Sequence, residues 1–417
     1  MRQSKLTFLV CLAVFCACGK GRTPHPLPSP TVPPSVDTAA AAVSVESVDS
    51  AVPAVSSATA ALEIEHLYDI PSTCDASTMT SRHDSLGRPF LYVAAKEGGL
   101  RIYDVSGAPV LVGTIPVASM GSLHVMSLFQ SGQRLYLALG THFFGTKQGA
   151  GLAVIDVSDP TRAGILGHWK DDAAVGGAGC VEVVGELAYL GAMKSGLYIL
   201  DVSHPSAIRR VSKFVPEIRF PDARPDPKKF NARGMAVRDG IVYLCYDAGG
   251  LRLIDVKNPD RPLEIGRYSN PAMNGKPRAY NNIVLDGRLA YVTVDFVGFE
   301  ILDISNPSAI SLVSWWNPWN PSLQPINWFT SPGHANEIAF DARKKIAFIS
   351  VGKSDLQVLS VADPVHPQLI GKFGEASDQM GTWGVSIHSD RVYLSYICTL
   401  GIPFNSRWTG IKVLRYK

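Results

Sequence analysis

The chain has 417 residues, of which 46% are hydrophobic and 18% charged, a composition that excludes disorder throughout and supports a large core. Lys and Arg number 39 against 36 Asp and Glu, and this small surplus argues against nucleic acid as the main partner. No apolar run reaches the roughly 18 residues that a transmembrane helix needs, so none is predicted.

The first residues predict a secretory signal over residues 1–17. Arg2 and Lys5 precede an apolar stretch, LTFLVCLAVFCA, that is too short to span a bilayer. Residues 15–19 (FCACG) resemble the lipobox of bacterial lipoproteins. The resemblance implies cleavage before Cys18, a lipid on its thiol, and anchoring to the outer membrane on its periplasmic or cell-surface side. Ordinary secretion is the alternative.

Residues 18–60 predict a disordered tether. They are rich in Pro, Ala and Ser and contain no aromatic residue, so they cannot bury enough apolar surface to fold. The folded domain is therefore predicted over residues 61–417.

One phrase recurs through that domain: an apolar strand that usually ends in Asp-Val or Asp-Ile, one or two polar residues, and Pro. Its copies occupy residues 99–109, 151–160, 196–205, 250–259, 298–307 and 355–364, with a truncated copy at 410–417. A fixed phrase that returns at a regular period is typical of repeat architectures.

Each phrase lies between two other apolar segments, such as 235–249 before it and 263–268 after it. Apolar residues alternate or run in short bursts, with Gly, Asp or Asn at the turns, and this predicts strands. The Asp of the phrase, which is Ser360 in the sixth copy, recurs at spacings of 52, 45, 54, 48 and 57 from Asp104 onward. Four strands per unit at this period predict an all-β, seven-bladed β-propeller of four-stranded antiparallel blades.

The last phrase ends at residue 417 and has no fourth strand after it. Residues 62–71 (LEIEHLYDIP) resemble 263–271 (LEIGRYSNP), which include the fourth strand of blade four. We therefore expect the N-terminal segment to supply the outer strand of blade seven and to close the ring, which protects the otherwise open edge.

The phrase GLxxxDVSxP, with the strand pattern VxVxGxxAYV before it, resembles the LVIVD repeat family of bacterial β-propellers. The resemblance extends over residues 62–417. It implies an extracytoplasmic propeller and does not imply a particular reaction.

The repeated acidic and tyrosine residues are predicted to be structural. A carboxylate at the end of a strand accepts the backbone N–H two residues on, so the phrase Asp is predicted to make an Asx turn and no metal site is predicted. These aspartates are Asp156, Asp201, Asp255 and Asp303. Matching tyrosines in the second strands are predicted to pack between blades, and they are Tyr189, Tyr243, Tyr291 and Tyr393.

Function is expected on the face that carries the longer loops, which join strands two and three and join one blade to the next. Aromatic residues concentrate there, and the candidates are Trp316, Trp319, Trp328 and Trp408. Amphipathic aromatic residues are typical of glycan or protein recognition. A loop cluster that packs on itself is the alternative interpretation.

A second set of candidates lies where the innermost strands begin, at the mouth of the central channel. They are His124, Arg233, Asn281, Asn282, His334, Asn336 and Trp383. Convergent polar groups at such a mouth predict a binding pocket. Hydrogen bonds that order the loop bases are the alternative. We also expect Trp383, Trp328 and Trp408 to form one aromatic patch beside the mouth.

Four cysteines remain in the folded domain. A disulfide between Cys74 and Cys398 would fasten neighbouring blades one and seven at the closure, and one between Cys180 and Cys245 would join blades three and four. Buried free thiols are the alternative.

These features predict a non-catalytic binding or scaffold propeller, with a monomeric domain and no cofactor, that recognises a protein or glycan partner. The alternative is a propeller enzyme, a lactonase-like hydrolase or a quinone-dependent dehydrogenase, with its site at the channel mouth. The candidate residues contain no carboxylate pair and no nucleophile–base signature, so no catalytic residue is predicted.

Overall fold

A computed structural model describes residues 61–140, 149–324, 326, 329–399 and 406–417. Within these ranges the fold is a ring of seven antiparallel four-stranded sheets, as predicted. None of the described helices could traverse a bilayer, since none combines the required length with the required hydropathy.

The strands are numbered β1 to β28 in chain order, and each blade is given from its innermost to its outermost strand. Blade one consists of β2 (Thr80–His83), β3 (Phe90–Ala94), β4 (Leu100–Asp104) and β5 (Val110–Ile115). Blade two consists of β6 (Val125–Ser131), β7 (Arg134–Leu139), β8 (Ala150–Asp156) and β9 (Gly164–Asp171). Blade three consists of β10 (Cys180–Val184), β11 (Leu187–Gly191), β12 (Leu197–Asp201) and β13 (Arg209–Phe214).

The remaining blades repeat this order. Blade four consists of β14 (Gly234–Arg238), β15 (Ile241–Cys245), β16 (Leu251–Asp255) and β17 (Leu263–Tyr268). Blade five consists of β18 (Tyr280–Asp286), β19 (Leu289–Val294), β20 (Gly298–Asp303) and β21 (Ser311–Trp316). Blade six consists of β22 (Ile338–Asp341), β23 (Ile346–Ser350), β24 (Leu356–Ser360) and β25 (Gln368–Phe373).

Blade seven joins the two ends of the folded chain. It consists of β26 (Thr382–His388), β27 (Arg391–Tyr396), β28 (Gly410–Tyr416) and β1 (Ile64–Pro71). The register between β1 and β28 runs from Ile64 opposite Tyr416 to Pro71 opposite Gly410. The predicted closure by the N-terminal segment is therefore confirmed.

Short 3-10 helices interrupt the connections. They span Cys74–Ala76, Val117–Met120, Pro160–Arg162, Pro205–Ala207, Pro227–Lys229, Pro271–Met273 and Gly352–Ser354. Two of them, Pro160–Arg162 and Pro205–Ala207, start at the Pro of the phrase, four residues after the third strand of the blade ends, since Pro has a fixed φ that suits the first position of a helix.

The predicted Asx turns are present. The carboxylates of Asp156, Asp201, Asp255 and Asp303 each accept the backbone N–H two residues on, at 2.8–2.9 Å. The four repeated tyrosines are buried in clusters that join neighbouring blades. Both sets of repeated residues are thus structural, as the sequence indicates.

Each outer strand carries a register shift against the third strand of its blade, for instance between Leu253 and Ile254 in β16. A bulge increases the local twist, so these exposed edges are poor templates for pairing with another chain.

Strand direction alternates within a blade, so the loops between strands two and three and the loops between blades lie at the same end of the ring. We call this end the upper face and the opposite end the lower face. The long upper loop 215–233 is held by buried Arg252, which donates to the carbonyls of Glu217 and Phe220, and by Arg278, which pairs with Asp222.

Candidate binding site at the channel mouth

A cavity of about 50 Å³ lies where the seven innermost strands converge. Its lining includes side chains or backbone from every blade. The lining residues are Arg82, Ser127, Gly179, Cys180, Arg233, Asn281, Asn282, Asn336, Glu337 and Trp383. The structure thus brings together five of the predicted channel residues: Arg233, Asn281, Asn282, Asn336 and Trp383.

Arg233 and Trp383 meet across the ring. The guanidinium carbon of Arg233, just before β14 of blade four, lies 5.5 Å from the ring centroid of Trp383 in blade seven. A guanidinium over an indole face makes a favourable cation–π contact. The contact spans blades that are three positions apart and narrows the channel.

Trp383 is the second residue of the innermost strand of blade seven, next to the strand start where the sequence placed it. It lies in β26, is only 8% exposed, and packs with Met79, Leu123 and Val125 in the core of blades one and two. The pairing of β26 with β27 shifts register between Thr382 and Gly384, so Trp383 is the extra residue of a bulge.

Asn281 is placed in the same way. The pairing of β18 with β19 shifts register between Tyr280 and Asn282, which leaves Asn281 as a bulge residue. Bulges re-aim side chains and are frequent beside binding sites. Both Asn281 and Trp383 therefore owe their place in the lining to a local irregularity of an inner strand.

The asparagine amides connect successive blades. Asn281 Nδ2 donates to the carbonyl of Ala335 at 3.0 Å, and Asn336 Nδ2 donates to the carbonyl of Thr382 at 2.9 Å. These bonds order the bases of the loops, as the alternative interpretation of the sequence predicted. They also fix the amide orientations, and Asn281 Oδ1 is buried without a hydrogen-bond partner among the described residues.

Arg82 and Glu337 also line the cavity, and sequence reasoning missed them. Arg82 Nη2 lies 3.2 Å from Glu337 Oε2, which also accepts a hydrogen bond from Thr80 Oγ1. The pair joins blades one and six, which are distant in sequence. The available signal was their placement in or just before an innermost strand.

Two carboxyl groups, half-buried Glu182 and buried Asp247, lie close to the lining. Burial raises the pKa of Glu182 to about 7, although its Oε2 accepts the N–H of Val237 at 2.8 Å. Burial also raises the pKa of Asp247 to about 6, against the lowering effect of Arg233 and of a hydrogen bond from Asn231. The positive charge of Arg233 therefore has a carboxyl group, that of Asp247, close to it.

The two predicted histidines lie outside this lining. His334 is buried and its Nδ1 is 2.6 Å from Asp295 Oδ1, so it belongs to the junction of blades five and six. His124 Nδ1 is 3.5 Å from Glu97 Oε1, and burial lowers the pKa of His124. His334 is thus hydrogen-bonded to a carboxylate of an upper-face loop, and His124 lies near one.

The predicted aromatic residues fall into separate clusters. Trp316 is the last residue of β21 and contacts buried Trp319 edge-on, at 6.2 Å between ring centroids. Trp408 packs on Tyr396 in the core of blades six and seven, away from the cluster that holds Trp383. Trp328 lies outside the described residues, as does Cys18. Of the expected patch, the described members are thus separated: Trp383 is a core residue, and partly buried Trp408 packs against a different core cluster.

The cysteines also differ in state. Cys74 and Cys398 form a disulfide with their Cα atoms 5.2 Å apart, which links the upper loops of blades one and seven. Cys180 and Cys245 are free, so the structure does not join blades three and four in this way. Within the described ranges, no group of three or more His, Cys, Asp or Glu side chains is placed to hold a metal ion.

Sequence comparison finds the LVIVD repeat at residues 89–115, 146–170, 175–214, 231–270 and 277–317. Among curated proteins, none is detectably similar to the chain. The folded residues thus define a seven-bladed β-propeller with a polar, partly closed central channel. More particularly, LVIVD repeats are found in blades one to five, as the recurrent phrase predicted.

Solved structures with a similar fold include the β-propeller domain of Cps50 (Swd1) from Myceliophteria thermophila, with 14% identity and a TM-score of 0.57 over 85% of this chain and 99% of that one. The WD40 repeats of RRP9 share 11% identity, with a TM-score of 0.59 over 85% and 100%. Sqt1 from Saccharomyces cerevisiae shares 10%, with a TM-score of 0.54 over 80% and 83%. At these identities the similarity concerns the fold alone.

Proposed function

We propose that this protein is a non-catalytic, extracytoplasmic binding propeller, anchored to an envelope membrane by a lipid on Cys18, that recognises a protein or glycan partner through its upper face. The observation that carries the proposal is the size of the central cavity. Small-molecule sites usually measure about 300–1,000 Å³, whereas the cavity here measures about 50 Å³. A partner therefore binds on the face and reaches the channel with one small group.

The same observation weighs against the enzymatic alternative. A lactone or a quinone would need a site several times larger than the cavity of about 50 Å³ beside the Arg233–Trp383 contact. No described feature of the channel favours a lactonase-like or quinone-dependent reaction over binding.

The disulfide between Cys74 and Cys398 supports an extracytoplasmic location, because disulfides persist mainly in oxidising compartments. Anchoring is tested by Cys18→Ser in the full chain. We expect the wild type in membrane fractions and the variant in the soluble fraction, since a single side chain carries the lipid. A soluble wild type would contradict anchoring while leaving recognition by the upper face untouched.

Recognition is tested by site-specific photo-crosslinking of the full chain in cells. A photoreactive residue replaces Leu323, which is 83% exposed on an upper loop, or Leu263, which is 64% exposed at the lower end of an outer strand. We expect a discrete adduct from position 323 and none from the matched position 263. Equal labelling at both positions, or at 263 alone, would contradict the upper face as the binding surface.

A further inference from the structure

One buried polar atom of the cavity lining lacks a hydrogen-bond partner among the described residues. Asn281 is only 5% exposed, and its Nδ2 donates to the carbonyl of Ala335, which fixes the orientation of the amide. Its Oδ1 has no hydrogen-bond partner in the described part of the chain. Asn336 likewise directs Nδ2 to Thr382, so its Oδ1 is the atom left for another donor. Two acceptors thus belong to the lining of one cavity.

Donors belong to the same lining. Asn282 uses its Oδ1 to accept the N–H of Ile283, which leaves its Nδ2 as a donor. The guanidinium of Arg233 lies over the Trp383 ring, with its carbon 5.5 Å from the ring centroid, and a guanidinium offers five N–H donors. The acceptors are a neutral pair of amide oxygens, and the donors are one amide and one guanidinium.

We propose that the channel mouth binds a primary carboxamide, and that it is the tip of an Asn or Gln side chain of a protein partner. This inference rests on the proposed function and names the group by which the upper face recognises its partner. The oxygen of the bound carboxamide accepts hydrogen bonds from Arg233 and Asn282. The two N–H groups of the carboxamide nitrogen donate to Asn281 Oδ1 and Asn336 Oδ1.

Other small groups match the set less well. A carboxylate carries no hydrogen for Asn281 Oδ1 or Asn336 Oδ1, and its charge would add to those of Glu337 and nearby Asp247. An ammonium group offers no acceptor to the N–H groups of Arg233. It would also be repelled by the guanidinium groups of Arg82 and Arg233, which both line the cavity. A cavity of about 50 Å³ accommodates an amide but not an aromatic ring or a sugar.

The test titrates the full chain with acetamide, acetate, methylammonium, N-methylacetamide and N,N-dimethylacetamide, with binding followed by saturation-transfer NMR. We expect acetamide to bind at least tenfold more tightly than acetate, methylammonium and the dimethylated amide, and more tightly than N-methylacetamide, which represents a peptide bond or a glycan acetamido group. Tighter binding of acetate or of N-methylacetamide would overturn the proposal. The absence of acetamide binding up to 100 mM would also overturn it and would mean that the cavity holds water only.

Two variants assign the site. Asn282→Ala and Arg233→Met each remove one donor without touching the inter-blade hydrogen bonds of Asn281 and Asn336, and we expect each to weaken acetamide binding at least fivefold. Lys228→Met, on an exposed upper loop outside the cavity, is the matched control and should bind as the wild type does. Unchanged acetamide binding by both donor variants would place the probe elsewhere. Crosslinking at position 323 reports separately on the proposed function, so the two failures are distinguishable.

Discussion

The hydroxyl of Ser314 donates a 2.7 Å hydrogen bond to the carbonyl oxygen of Pro364, and this bond ties the outer strand of blade five to the phrase of blade six. Ser212 makes the same bond to Pro259 at 2.5 Å. At Gly167 and Gly266, the equivalent residues of β9 and β17, the corresponding carbonyl of the next blade occupies the place where a Cβ atom would lie. The Pro of the phrase is therefore a recurrent contact between blades as well as a strand terminator.

This relationship predicts the effect of a single methyl group. Gly167→Ala would place its Cβ against the carbonyl of Pro205, and the resulting shift between blades should cost about 1–3 kcal/mol. Gly113→Ala is the matched control, because the nearest atom to its Cβ would be 3.5 Å away. Chemical denaturation of both variants checks the prediction, which a larger loss at Gly113 than at Gly167 would contradict.

The disulfide predicts a second stability effect. Cys74 and Cys398 are 324 residues apart in sequence, so their bond restrains a large loop of the unfolded chain. The double variant Cys74→Ser/Cys398→Ser should lose up to about 6 kcal/mol, the chain-entropy limit for a loop of this length. Cys180→Ser, which removes a free thiol, serves as the control. Equal unfolding midpoints for the double variant and the wild type would rule out a stabilising closure.

A buried carboxyl group predicts how stability depends on pH. Burial raises the pKa of Glu300 to about 7, and its oxygens accept hydrogen bonds from Asn270 and Tyr280 at 2.8 Å. Since the folded state holds this proton more tightly than the unfolded state, stability should fall as pH rises from about 4.5 to 7, by on the order of 2–3 kcal/mol from this group.

Glu300→Gln keeps the shape of the side chain and removes its titratable proton. The unfolding free energy of this variant should therefore change less than that of the wild type between about pH 4.5 and 7. Glu63→Gln, at a largely exposed side chain, should leave the wild-type slope unchanged. Parallel slopes for Glu300→Gln and the wild type, measured by denaturation at several pH values, would show that Glu300 is not the group involved.

The closure between blades one and seven contains a histidine pair with the opposite pH sign. The rings of His83 and His388 stack with centroids 3.6 Å apart, and the surrounding groups are the carbonyl and carboxylate of Asp84, Arg391 and Tyr393. Burial, assisted by His388 and Arg391, lowers the pKa of His83. Its contribution to stability is therefore present above the unfolded pKa of about 6.5 and is lost as pH falls below it.

His83→Phe retains an aromatic ring that does not titrate. When the pH is lowered from 7 to 5, the wild type loses the contribution of neutral His83 and the variant does not. We therefore expect the unfolding free energy of His83→Phe to fall less, or to rise more, than that of the wild type. His204→Phe, on an exposed turn of the lower face, is the control. A steeper acid-side loss in His83→Phe than in the wild type would reverse the assigned sign.

Repeated features of this fold were predictable because each recurs with a fixed relation to strand ends. The closure by residues 62–71 followed from their likeness to another outer strand, and the aspartate turns followed from their position before Pro. The burial of Trp383 in the core was not predictable, because it depends on a bulge in the pairing of β26 with β27. Nor was the Arg82–Glu337 pair, since no local pattern brings blades one and six together.

The central claim is that the upper face binds a partner at the channel mouth. Arg233 tests it better than Trp383, because Trp383 is part of the core and its loss would be expected to cost about 3–5 kcal/mol of stability. The direct measurement is the affinity of the partner captured at position 323 for Arg233→Met and for Lys257→Met, an exposed lower-face control, each verified to unfold like the wild type. We predict at least a tenfold loss of affinity for Arg233→Met and none for Lys257→Met, and wild-type affinity in Arg233→Met would contradict the account.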